Sequence, residues 1–157
     1  MKPATIHDIK QELTNLPPQK VLELCLRLAR YKKENKELLT YLLFESTDDH
    51  AYVETVKKEV DDEFMDLPKA NLYLTKKSLR KLLKSITKYS KHIASKQAEA
   101  EMLIYFCSKL KDSGIPIHKS TALTNLYKQQ LKKINTAVGT LHEDLHFDFE
   151  KQLQQLA

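Results

Sequence analysis

Tryptophan is absent from this chain of 157 residues, and glycine (2) and proline (5) are scarce. Ordinary usage is about 7% glycine and 5% proline, and sandwiches and barrels draw on both for their many tight turns. The shortage excludes a many-stranded β architecture and leaves helices. Long apolar runs are also missing. The longest stretches, Leu42 to Phe44 and Met102 to Cys107, fall far below the roughly 20 residues that cross a bilayer. Met1 to Asp8 carry no apolar signal core, so the expectation is a cytoplasmic chain without a membrane segment. Cysteine is confined to Cys25 and Cys107, each on a helical stretch among apolar neighbours. Both are expected in the core, because a catalytic thiol wants a nearby base and partial exposure.

What is present is 41% hydrophobic and 30% charged residues, the composition of one globular domain over 1–157. A chain of this size buries roughly two-thirds of its unfolded surface, so neither a disulfide nor a structural metal is required.

Apolar spacing and capping residues divide the chain into helices. Thr5 with Asp8 resembles a capping box ahead of Ile6, Ile9 and Leu13, which predicts a helix near 5–15. Leu16-Pro17-Pro18 interrupts it. A second helix carries Val21, Leu22, Cys25, Leu28 and Ala29 on one face, widened by Leu24 and Leu26, and a third resumes at Asn35 with Leu38, Leu39, Leu42 and Leu43. Thr47 is the expected cap of a fourth helix over about 48–65, with the stripe Tyr52, Val53, Val56, Val60 and Phe64. That helix ends in the acids Glu59, Asp61, Asp62, Glu63 and Asp66, which oppose its dipole and call for a compensating partner.

Thr75 is the expected start of a fifth helix bearing Leu79, Leu82, Leu83, Ile86 and Ile93; Ser95 caps a sixth that stops at Ser113-Gly114. Ser120 or Thr121 opens a seventh, and Gly139 separates it from an eighth. An apolar residue precedes proline at Leu16, Leu67 and Ile115, but the stretches between align only through helical periodicity. The fold expectation is all-α: seven to eight amphipathic helices in consecutive antiparallel hairpins, as an irregular bundle or a short α-α superhelix.

Charge is unevenly placed. From Leu67 to Ala98 there are nine basic residues and no acid, so a chain of net charge +5 carries −4 outside this window. Lys77, Lys81, Lys84, Lys88 and Lys91 step by four, three, four and three, with Arg80 alongside. At about 100° per residue this makes one ridge opposite Leu79, Leu82, Ile86 and Ile93. Such a ridge could displace counterions from a polyanion, a nucleic acid or an acidic protein surface, with little sequence preference because lysine is a flexible point charge. Two plainer readings compete: an ordinary solvated helix face, and neutralisation by the acidic 59–66 segment of the preceding helix. Tyr73 and Tyr89 serve equally as core-edge aromatics or stacking groups.

His142-Glu143-Asp144-Leu145-His146 matches H-E-x-x-H, in which two histidines one turn apart hold zinc and the glutamate activates water. Such a site needs a third ligand, and after His146 the chain has the acids Asp148 and Glu150 and no histidine; His118 and His50 are the distant candidates. Phosphate loops, nucleotide fingerprints and nucleophile elbows are absent. The expectation is therefore a non-enzymatic interaction module with no catalytic residue or cofactor, a protein or nucleic-acid partner, and contact residues Lys77, Arg80, Lys81, Lys84, Lys88 and Lys91. The alternatives are metal binding or metal-dependent hydrolysis at His142, Glu143 and His146, and a homo-oligomeric structural protein whose ridge meets a neighbour's acidic segment.

Overall fold

The computed structural model describes residues 1–157. It is all-helical: α1 (Ile6–Thr14), α2 (Pro18–Tyr31), α3 (Lys33–Thr40), a π-helical segment (Tyr41–Glu45), α4 (Asp49–Met65), α5 (Leu72–Ile93), α6 (Lys96–Asp112), a 3-10 turn (Ile117–Lys119), α7 (Thr121–Gly139) and α8 (Glu143–Leu156). No helix is long and apolar enough to cross a membrane. The chain divides into two compact units, Met1–Phe44 and Glu45–Ala157.

Local chemistry explains the element boundaries. The Thr5–Asp8 capping box forms in both directions, and Ser95 and Ser120 accept from the amides of Ala98 and Leu123 as their positions predict. Two starts differ from expectation. The α4 cap is Asp48, whose carboxylate accepts from Ala51 N, in place of Thr47; a carboxylate is the stronger acceptor at a positive helix end. The α5 cap is Asn71, which accepts from Leu74 N, one turn ahead of Thr75. Thr75 is buried within the helix, its hydroxyl donating 2.9 Å to the Pro68 carbonyl. At the other end of α5, Ala94 takes a left-handed conformation (φ 50°, ψ 35°) while its amide donates to Ser90 O. Glycine usually occupies this position because a Cβ is strained there.

Residues 45–157 carry a conventional core around α6, which packs against α4, α5, α7 and α8. Its buried residues, Ala98, Ala100, Met102, Leu103, Ile104, Phe106, Cys107 and Leu110, lie on most sides of the helix, as befits a helix with several neighbours. Phe106 is fully buried and meets Phe64 of α4 edge-on, with centroids 5.8 Å apart. Truncating such a ring to alanine typically costs about 3–5 kcal/mol. The acids at the end of α4 are partly compensated across this packing. Asp61 accepts 2.7 Å contacts from Lys109 Nζ and the Tyr105 hydroxyl, and Glu59 accepts from the Tyr89 hydroxyl.

Residues 1–44 are built differently. None of the residues in α1, α2 and α3 is buried. Ile6 is 82% exposed, Leu28 61% and Leu43 65%, although all three belong to the predicted apolar stripes. The helices are tied by Asn35, whose side-chain amide donates 2.8 Å to the Leu28 carbonyl across the break at Lys32. Cys25 is exposed here, contrary to its expected place in a core, because the apolar face of α2 that carries it is uncovered. Cys107 does lie in a core, and burial pushes its thiol up to about 12.

Candidate functional site

Helix α5 is set by its buried side. Thr75, Leu79, Leu82, Leu83, Ile86 and Ile93 face the core. At about 100° per residue they occupy the arc opposite Lys77, so the basic residues are turned to solvent. Lys77, Arg80, Lys81, Lys84 and Lys91 are exposed, and none of them enters an ion pair. The stripe from Lys77 to Lys91 is about 21 Å long at 1.5 Å per residue. Lys88 differs from the other five. It is half-buried and its ammonium lies 5.4 Å from the Tyr89 ring centroid, so part of its charge is already engaged by the protein.

No acid of the α4 segment forms a direct ion pair with Lys77, Arg80, Lys81, Lys84 or Lys91. Asp61 pairs with Lys109 and Tyr105, Glu59 with Tyr89, and Asp62, Glu63 and Asp66 are exposed without an ion pair. Lys77, Arg80, Lys81, Lys84 and Lys91 are thus exposed and without a direct ion pair.

The structure also separates the two tyrosines that sequence reasoning left equivalent. Tyr89 is half-buried, edge-on to Tyr52 at 6.2 Å, with its hydroxyl on Glu59. Tyr73 is 67% exposed, and Lys76 Nζ lies 5.2 Å from its ring centroid. It precedes Lys77 by four residues, so it extends the stripe by one turn. The signal for it was that i, i+4 relation, which outweighs the residue's resemblance to a core-edge aromatic only once its exposure is known.

The H-E-x-x-H segment does not form a two-histidine chelate. Helix α8 begins at Glu143, and His142 is its N-cap in an extended conformation (φ −60°, ψ 146°), with Nδ1 accepting from Asp144 N. His146 has Nε2 2.7 Å from the Leu141 carbonyl. His142 lies outside the helix that carries His146, so the pair lacks the shared helical register of the zinc-protease motif. His142, Glu143 and His146 remain three separate features of a helix start.

Elsewhere the ligand atoms of His50, Glu54 and Glu101 lie within 4.8 Å of one another. Lys57 occupies this cluster as its cation, with Nζ 2.8 Å from both Glu54 Oε1 and Glu101 Oε1. Burial pulls the Lys57 ammonium down, but hydrogen bonds to Glu101 and Glu54 outweigh it and leave the group above its ordinary value. The hydrogen bond from Lys57 holds Glu54 below its own. The same pattern recurs one turn on, where Lys109 lowers Asp61 through a hydrogen bond. In both clusters the carboxylates and ammonium groups pair with one another.

No protein-family model matches the chain, and neither the curated proteins nor the solved structures contain a match. Function must therefore be argued from the surface itself.

Proposed function

We propose that this protein is a non-enzymatic interaction module that holds a polyanion along α5, with nucleic-acid phosphates as the favoured ligand. The observation that carries the reading is the face formed by Lys77, Arg80, Lys81, Lys84 and Lys91, five exposed cations without intramolecular partners. Lys20, Lys33, Lys57, Lys96 and Lys109 have an acid within ion-pair distance, and most of the chain's other cations do not, so what sets α5 apart is the alignment of its unpaired cations. Five of them on one stripe create a local positive potential that a line of phosphates neutralises with release of its counterions.

Tyr73 favours nucleic acid over an acidic protein surface. An exposed ring at the end of a cationic stripe offers a stacking platform to an unpaired base, which a carboxylate surface does not use. With lysines dominating and one arginine present, contacts go to backbone phosphates, and little sequence preference is expected.

The test is fluorescence anisotropy with labelled duplex DNA, single-stranded DNA and RNA, at low and physiological salt. Wild type is compared with Lys77→Glu/Lys81→Glu/Lys84→Glu. Micromolar binding that weakens with salt and collapses in the variant supports the reading. Absence of binding to all three, with the variant equally folded, returns the stripe to a solvated face. An acidic peptide that binds where nucleic acid does not would assign it to protein contact.

A further inference from the structure

Within residues 1–44, the space between α2 and α3 is an open groove of about 630 Å³. Its floor is apolar, formed by Leu26 and Ala29 of α2, Leu39 of α3, and Leu43 and Phe44 of the π-helical segment. Its rim is cationic: Arg30, Lys32, Lys33 and Lys36. Of these four, Lys33 alone has an acid, Glu37 at 3.7 Å, and it is itself 86% exposed. Two amphipathic helices are thus held beside each other by the Asn35 tie while their apolar sides stay in water.

We propose that this groove receives the apolar face of an amphipathic helix flanked by acidic residues, supplied by a partner protein. An apolar helix face laid into an apolar groove is a recurrent mode of recognition, read as anchors at helical spacing. The acidic flank follows from the rim, since four cations around an apolar floor attract carboxylates and repel a basic helix. The same charge argues against two copies meeting groove to groove, which would bring Arg30, Lys32, Lys33 and Lys36 against themselves. On α2 the lining runs from Leu26 to Arg30, about 6 Å and little more than one turn, and it continues on the other side from Lys33 to Phe44. The groove differs from the α5 stripe in chemistry: its floor supplies hydrophobic contact and its cations form a border.

Two synthetic helical peptides of about 16 residues test this with the full chain. They share one leucine face and differ in glutamate or lysine flanks. Binding is read by anisotropy. The expected result is that the glutamate peptide binds at least tenfold more tightly than the lysine peptide and weakens with salt. Leu39→Asp/Leu43→Asp should abolish binding, and Lys32→Glu/Lys36→Glu, which brings the rim from four positive charges to none net, should remove the preference. The second variant changes exposed side chains alone and keeps the test decisive if the first misfolds. Lys77→Glu/Lys81→Glu/Lys84→Glu should leave peptide binding unchanged; loss in that variant would place the peptide on α5 and overturn the proposal. Equal affinity of the wild type for both peptides, or none for either, would also overturn it. So would a dimer, seen by sedimentation, that Leu39→Asp/Leu43→Asp dissolves, or binding confined to phosphatidylglycerol vesicles.

Discussion

The salt dependence of nucleic-acid binding follows quantitatively from the unpaired cations of α5. Lys77, Arg80, Lys81, Lys84 and Lys91 can each neutralise one phosphate. A duplex presents about 12 charges over the 21 Å of the stripe, so cations, not phosphates, limit the number of contacts. At a slope of about −0.9 per phosphate, five contacts give log K against log salt a slope of about −4.5. Raising salt from 50 to 200 mM should then weaken duplex binding by roughly 500-fold. Replacing Lys77, Lys81 and Lys84 with glutamine leaves Arg80 and Lys91, a slope of about −1.8, and a loss of only about 12-fold over the same range. Glutamine suits this test because it removes charge without adding repulsion and has nearly the helix propensity of lysine. Anisotropy titrations at five or six salt concentrations, with circular dichroism to confirm equal helicity, measure both slopes. An unchanged slope in the glutamine variant would place the contacts elsewhere on the protein and refute the assignment. Binding that is insensitive to salt would refute the electrostatic mechanism itself.

Four further outcomes follow. Tyr73→Ala should weaken binding of single-stranded DNA by about 1–3 kcal/mol while leaving duplex affinity nearly unchanged, because stacking needs an unpaired base; parallel titrations of the two forms check this, and equal losses would reject the stacking role. A thiol reagent at pH 8 should modify Cys25 rapidly, while Cys107, buried and pushed up to about 12, should react only on unfolding; mass spectrometry of the labelled protein reads the result, and two fast thiols would contradict the α6 packing. Ala94→Gly should stabilise the protein by about 1 kcal/mol by relieving the left-handed strain at the end of α5, visible as a higher urea midpoint, and a lower midpoint would refute the strain. On acidification, Asp61 and Glu54 sit below their ordinary values of 3.8 and 4.5 because Lys109 and Lys57 hydrogen-bond to them. The unfolded chain therefore takes up protons first, so this stabilisation is present above pH 4.5 and disappears as pH falls through the folded-state values; Asp61→Asn should flatten the fall in urea midpoint between pH 6 and pH 3, and an unaltered profile would remove Asp61 as a cause.

Much of the helical layout was readable from spacing and caps. Thr5, Ser95 and Ser120 mark helix starts because a side-chain oxygen near free amides is a local interaction, written in consecutive residues. The competing caps were harder to rank. Thr47 and Asp48 differ by one residue, and the stronger acceptor caps the helix; Thr75 and Asn71 differ by one turn, and the earlier start leaves Thr75 buried within the helix. His142 shows the same limit in a functional motif. H-E-x-x-H implies a shared face only if both histidines are helical, and the helix starts one residue too late.

Sequence by itself determined that the chain is helical, that its basic residues gather on α5, and that five lysines and an arginine fall on one side, because periodicity and charge order are properties of neighbours along the chain. Tertiary structure decided what covers each face. It buried Cys107 while leaving Cys25 in water, engaged Lys88 and Tyr89 while leaving Tyr73 open, and supplied α6 with neighbours while the apolar sides of α1 and α2 stayed exposed. An amphipathic pattern states that a face needs covering; which residues cover it depends on contacts distant in sequence, and these exist only once the chain has folded.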